Sequence, residues 1–218
     1  MSKPVLVIGG GGHASVLVEM LKQLKYPIAA IISPEIDETR KVLQGIKHQL
    51  KDDAVLSYDC KEVVLINGIG SLPGNSLLRI DVFKRFKKLG YTFLTLVSPH
   101  AIVSQYAELG EGVQVMPSAV IQPGTIVGAN SIINTAVSIE HDCTIGMHNH
   151  IAPGAVICGE VVTAEKVHIG PGAVVIQSVK IAENSVVGAG AYLTKNIEEN
   201  NIVYPCKVII KKFNGKFT

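Results

Sequence analysis

Stepping by six from Leu109, the chain places an aliphatic side chain at Val115, Ile121, Val127, Ile133, Ile139, Ile145, Ile151 and Ile157. The series resumes through Ile169, Val175, Ile181, Val187 and Leu193, and Thr163 is its one interruption. An α-helix cannot carry a strict six, because its apolar face repeats near 3.6 residues. Two residues before most of these positions stands a small or modest side chain, such as Ala119, Thr125, Ser131, Cys143, Ala155 or Ala173. Three residues after them come Gly112, Gly124, Asn130, Asp142, Gly154, Gly172, Asn184 and Gly190, residue types that tolerate tight corners and positive φ. The aliphatic side chain therefore points inward, the small one fills the space beside it, and the glycine or asparagine turns the corner. A fixed repeat of this kind predicts a β-solenoid in which each coil touches only its neighbours.

The first half follows a different rule. PVLVIGG (4–10), IAAIIS (28–33) and EVVLING (62–68) are short apolar runs, and ASVLVEMLKQL (14–24) and NSLLRIDVFKRFKKLG (75–90) carry helical spacing. YTFLTLVS (91–98) reads as a further strand. Strands alternating with helices predict a small Rossmann-like parallel sheet. The expected organisation is α/β plus β-solenoid, with a Rossmann-like domain over 1–96 and the solenoid with a C-terminal tail over 97–218.

Composition narrows the function. The chain is 47% hydrophobic and 17% charged, with a formal net charge of +2, so it is globular and lacks the basic stripe of a nucleic-acid binder. Lys84-Arg85-Phe86-Lys87-Lys88 reads as the solvated face of a helix. Cys60, Cys143, Cys158 and Cys206 are scattered without a C-x-x-C pair, which favours reduced thiols. The N-terminal apolar run is broken by glycines too early for a signal peptide, and no apolar run approaches membrane-spanning length. A cytoplasmic protein that makes no membrane contact is expected.

The segment IEHDCTIGMHNHIAPGA (139–155) gathers three of the seven histidines. With Ile139, Ile145 and Ile151 pointing inward, His141 and His150 belong on the outer surface or at a corner. His141 stands between Glu140 and Asp142. An imidazole titrates near working pH and a neighbouring carboxylate stabilises its protonated form, so this triplet suits a general base. His148 and His168 read as incidental corner histidines, and His148-x-His150 leaves a zinc site open as an alternative.

These residues carry a resemblance. The hexads look like the left-handed β-helix of hexapeptide-repeat acyltransferases, with three hexads per triangular coil. The combination of GGGGHA, the solenoid and INTAVSIEHDCTIG is similar to the sialic-acid O-acetyltransferase and bacillosamine/perosamine N-acetyltransferase group. That resemblance implies direct acetyl transfer from acetyl-coenzyme A to the amine of a nucleotide-linked sugar, a UDP-4-amino-4,6-dideoxy sugar in particular. It also implies a homotrimer and a place in bacterial surface-glycan synthesis. His141 is the implied base, with Asp142 or Glu140 supporting it. His150, Gly159, Pro171 and Ala189 are implied near the coenzyme, the Gly159 N–H facing the thioester carbonyl. Cys143 reads as core, so no acyl-enzyme is expected. O-acetylation of a sialic-acid-like sugar, a zinc enzyme like the γ-type carbonic anhydrases, and a non-catalytic nucleotide-sugar-binding subunit are the competing readings. The metal reading has no use for the nucleotide-binding half.

VIGGGGHA follows a strand and opens a helix, and Gly9-x-Gly11-x-x-Ala14 meets a loose dinucleotide fingerprint. With only about 95 residues before the solenoid there is no room for the second half of a dinucleotide site. One nucleotide is expected, its diphosphate at the helix N-terminus. The resemblance sets Gly11, Gly12, His13 and Gly70 beside this acceptor, and Ser33 and Asn134 complete the acceptor-side candidates. Two positions depart from the family: Ser33-Pro34 stands where uridine-binding relatives have paired acids, and VYPCK (203–207) stands for GVPAK, putting Tyr204 and Cys206 near the coenzyme.

Overall fold

The computed structural model describes residues 2–37, 39–73 and 77–205, so Cys206 lies outside the described residues. The first half holds strands β1 (Val5–Ile8), β2 (Ile28–Ile32), β3 (His48–Gln49) and β4 (Val64–Asn67), with helices α1 (Gly12–Gln23) and α2 (Leu77–Lys88). The sheet is parallel throughout, in the order β3-β2-β1-β4. Val5 and Val7 pack into the layer built on α1, whereas Leu6 and Ile8 pack with Phe83 and Phe86 of α2. Both faces are covered, which is why these strands are apolar at every position.

One sequence expectation needs correction here, and one short strand leaves no expectation at all. Residues 91–98 do not form one strand of this sheet. Phe93 makes a single bridge to Leu65, and the chain then leaves, so that Leu96–Val97 pairs with Gln114–Val115 of the solenoid. The run is apolar because it is buried in both halves in turn. The two-residue β3, pairing with Ile31 and Ile32, is too short and too polar to leave a hydrophobic signature.

Beyond Leu96 the chain coils. Two-residue strands stack in parallel at an eighteen-residue offset, Ile126 on Thr144, Ile132 on His150 and Ser138 on Val156. They form sheets of five, seven and six strands among the described residues, the three sides of a prism. The aliphatic residues from Val115 to Leu193 are buried inside, and Ala119, Cys143, Ala155, Ala173 and Ala191 fill the second inward position. From Gly112 to Gly190 every sixth residue has positive φ, including Ser118, Ala136, His148, Glu160, Lys166 and Ser178. Left-handed backbone at a non-glycine residue costs about 1–2 kcal/mol, so the coil-to-coil hydrogen bonds override local preference at these corners.

Thr163, the odd member of the aliphatic series, is buried. Its Oγ1 accepts from Asn149 Nδ2 at 2.5 Å and from the Gly146 amide at 3.0 Å. Asn149 Oδ1 in turn accepts from the Val167 amide at 2.6 Å. The interior thus contains one satisfied polar pair.

The two halves meet across the seven-stranded side. Leu96, Met116 and Ile132 on its outer surface join the apolar layer around α1, and Phe83 lies edge-on to His148 with ring centroids 5.6 Å apart. Arg79 is buried at this seam and donates to the carbonyls of Asn67, Ile69 and Asn130. Replacing Thr163 by valine restores the aliphatic period yet leaves Asn149 Nδ2 without that acceptor. Thr163→Val is therefore expected to lower stability by about 1–3 kcal/mol in urea unfolding.

Candidate active site

His141 occupies the corner that follows the six-stranded side, and its side chain is 60% exposed. Its Nδ1 lies 2.8 Å from Asp142 Oδ2. A carboxylate accepts, so Nδ1 carries a proton, and in the neutral ring Nε2 is the basic nitrogen. The positive φ of Asp142 (59°) belongs to the same corner that sets this pair. His141 is pushed above the ordinary imidazole range, first by the hydrogen bond to Asp142 and then by the charges of Asp142, Glu160 and Glu140. Glu140 itself accepts from Ser138 Oγ at 3.0 Å, so of the two acids considered it is Asp142 that holds the ring. Gly159 stacks one coil further on, against the imidazole. Its N–H makes no hydrogen bond among the described residues. Cys143 is buried, donates to the Cys158 carbonyl at 3.1 Å, and has its thiol pushed up to about 11 by burial. A neutral buried thiol is a poor nucleophile.

A second cluster lies between the halves. A cavity of about 500 Å³ is lined by Gly12, His13, Ile69, Gly70, Asn134 and His150, among others, a volume suited to a small ligand. His150 corrects an expectation: it is on the outer side of the coil but only 8% exposed, because the N-terminal half covers it. Its Nδ1 donates to the Ser71 carbonyl at 2.6 Å and its Nε2 accepts from Asn134 Nδ2 at 3.0 Å. The structure thus groups His150 with the acceptor candidates Gly12, His13, Gly70 and Asn134. Gln114 Nε2 donates to the Asn67 carbonyl at 2.8 Å, which turns its Oε1 toward His13 Nε2 at 2.7 Å. His13 Nε2 is therefore the donor, leaving Nδ1 as an acceptor. Burial, then the nearby Arg79 charge, draws His13 down to about 3.

The glycine loop opens into a neighbouring recess lined by Gly10, Gly11, Glu35, Ile36, Asp37 and Arg40. α1 has no side-chain cap at Gly11 and no acid in its first turn, so its first amides are free to meet an anion. The Arg40 guanidinium reaches over Gly12. Ser33 is buried and spends its hydroxyl on the Glu35 carbonyl at 2.6 Å, shaping the loop from behind. Pro171 and Ala189 are exposed on the corner row that follows the seven-stranded side, the row that also carries Asn134–Thr135. The four coenzyme candidates are thus divided: Gly159 beside His141 on one corner, Pro171 and Ala189 on another, and His150 in the cavity. His148 and His150 face different partners, since His148 Nδ1 pairs with Asn130 Nδ2 at 3.0 Å. No group of three metal-binding side chains occurs among the described residues. Arg40, Arg79, Gln114 and Glu160 left no signal in the sequence, because their roles arise from contacts distant along the chain.

Comparison with known proteins fits this geometry. The PglD N-terminal domain family matches residues 4–86. The bacterial transferase hexapeptide (six repeats) family matches residues 160–195, and the hexapeptide repeat of succinyl-transferase family matches residues 118–147. The chain is thus similar to hexapeptide-repeat sugar N-acetyltransferases, and its solenoid is a left-handed parallel β-helix. Among particular relatives, it is similar to the GDP-perosamine N-acetyltransferase of Escherichia coli O157:H7, 27% identical over 146 residues, which are 57% of this chain and 66% of that protein. It is also 38% identical over 63 residues to an acyl-[acyl-carrier-protein]–UDP-N-acetylglucosamine O-acyltransferase of Brucella anthropi, covering 29% of this chain and 23% of that one. The chain therefore spans less than two thirds of either curated relative. The Caulobacter crescentus PerB structure, in complex with CoA and GDP-perosamine, superimposes with a TM-score of 0.81 at 29% identity, covering 93% of this chain and 94% of that one. The acetyltransferase domain of PglB from Neisseria gonorrhoeae FA1090, in complex with acetyl coenzyme A, gives a TM-score of 0.84 at 26% identity, covering 96% and 100%.

Burial makes the interior histidines acid-labile. His13 is held at about 3, and His148 and His168 at about 4, against an ordinary 6.5, with desolvation the first cause in each. The folded state favours their neutral forms, so their contribution is complete above pH 6.5 and is lost as pH falls toward 4. Each group that protonates only on unfolding contributes a slope on the order of 1 kcal/mol per pH unit in that window. The thermal midpoint is expected to drop between pH 6.5 and 5, above the titration range of ordinary carboxylates. A midpoint that stays level there contradicts the burial of these rings.

Proposed function

We propose that this chain transfers the acetyl group of acetyl-coenzyme A to the amine of a nucleotide-linked amino sugar, with His141 as the general base. The observation that carries this reading is the solvent-facing His141–Asp142 pair, with Nε2 making no hydrogen bond among the described residues, in a chain that superimposes on 93% of itself with a protein bound to CoA and GDP-perosamine. A bond from the attacking nitrogen to the thioester carbon forms as Nε2 takes the amine's proton. The tetrahedral adduct then expels the coenzyme thiolate, which recovers that proton from the imidazolium. Asp142 holds the Nδ1–H tautomer and stabilises the imidazolium as it forms. In this reading the Gly159 N–H, which makes no hydrogen bond among the described residues, donates to the developing oxyanion.

In this reading the diphosphate lies on the α1 amides under Arg40, and the sugar enters the cavity of His13, Gly70, Asn134 and His150. Asn134 and His141 sit on successive corners of one coil, so a single chain offers two half-sites. The reading requires a second copy to bring them together, as in the homotrimer that the family resemblance implies. The outer row of the six-stranded side, between those corners, supports association. It runs Ile102, Val120, Ser138, Val156, Val174, Tyr192 and carries no charge, whereas the five-stranded side shows Glu108 and Lys180. Pro171 and Ala189 then line the coenzyme groove from the neighbouring copy.

The test is thiol release from acetyl-coenzyme A with a panel of UDP- and GDP-linked amino sugars, including a UDP-4-amino-4,6-dideoxy sugar and GDP-perosamine. Release is expected with an amino sugar, and His141→Ala is expected to lower kcat by about 10²–10⁴ while coenzyme binding persists. Release with a free sialic acid alone reverses the choice of acceptor. Undiminished turnover in His141→Ala rejects the base.

A further inference from the structure

The imidazole and its carboxylate are enclosed by two glycines on flanking coils. Asp142 stacks on Gly124, and a methyl group built at Gly124 would collide with Asp142 Oδ1. Gly159 stacks on His141, and a methyl group there would lie 2.7 Å from Cε1 and 2.8 Å from Nε2. Nothing in the backbone demands glycine at 124. Its φ of +75° belongs to the corner conformation that Ser118, Ala136 and Lys166 adopt with side chains. Gly154, Gly172 and Gly190 share that conformation and face open space. The carboxylate distinguishes Gly124 from the other corner glycines.

Resting on the reading of His141 as base, we propose that Gly124 is a positioning residue whose missing side chain admits Asp142 Oδ1. The other oxygen, Oδ2, is thereby brought onto His141 Nδ1. A side chain at 124 turns the carboxylate away from the ring. His141 then loses the partner that fixes its tautomer and raises its basicity, although neither reacting group has been changed.

The test compares wild type, Gly124→Ala, Asp142→Ala, their double variant, and Gly154→Ala as a control with the same backbone and no contact. Gly124→Ala is expected to lower kcat at least tenfold and to move the acid limb of kcat against pH downward. Coenzyme affinity and thermal midpoint should match those of Gly154→Ala. In the Asp142→Ala background the added effect should vanish, because the two changes act through one contact. An NMR titration of the His141 ring, expected to shift to lower pH in Gly124→Ala, reads the same contact without turnover. Gly124→Asn, using the residue that stands at the Asn130 and Asn184 corners, serves if the alanine variant does not fold. Wild-type kcat and pH limb in Gly124→Ala, or equal losses with and without Asp142, overturn the proposal. Full turnover in His141→Ala removes the base and this proposal together. An inactive His141→Ala beside a fully active Gly124→Ala removes only the role of Gly124.

Discussion

In-register stacking of each residue on the one eighteen positions earlier governs this molecule. A coil that steps by a fixed eighteen repeats its corners as well as its sides, so a residue's neighbours are set by arithmetic along the chain. The stacking is strong enough to hold alanine, glutamate and lysine in left-handed backbone, because each corner amide from Ser118 to Gly190 donates to a carbonyl one coil away. Ala136 donates to Pro117, Asp142 to Pro123, and Glu160 to His141. The same register places Asp142 between Gly124 and Glu160, and His141 against Gly159. Site geometry here is a by-product of coil geometry.

The solenoid was legible to the residue because its signal is a long repetition of one simple rule. The inward aliphatics, the small fillers and the glycine or asparagine corners all occupy the positions that the period assigns. Corners at Ser118, Ala136, Glu160, Lys166 and Ser178 went unseen, since their conformation is imposed by the neighbouring coils and contradicts local propensity. In the first half the main strands and helices carried enough apolar patterning to be found. Phe93 through Val97 did not, because its burial is shared between two sheets and its apolarity imitates a single strand.

The His141–Asp142 contact was legible because its partners are adjacent in sequence. The environment of His150 was not. Its partner Ser71 lies 79 residues away, and only the docking of the N-terminal half converts an outward histidine into a buried one. The same docking buries Arg79 at the seam, where backbone carbonyls take its hydrogen bonds. Burial draws the guanidinium down to about 9, which still leaves it cationic at neutral pH. Burial first, and then this positive charge behind the cavity, draws His13 and His150 toward their neutral forms, and the charge favours an anion at the cavity mouth.

The polar pair of Asn149 and Thr163 has a consequence for how the coil finds its alignment. A perfectly periodic solenoid is degenerate: slipping one rung along the stack still buries aliphatic against aliphatic. The amide of Asn149 breaks that degeneracy, because a slipped rung would set it against hydrocarbon in place of the one hydroxyl on that inner row. One buried amide thus works as an index mark, separating the native stacking from near-equal alternatives during folding.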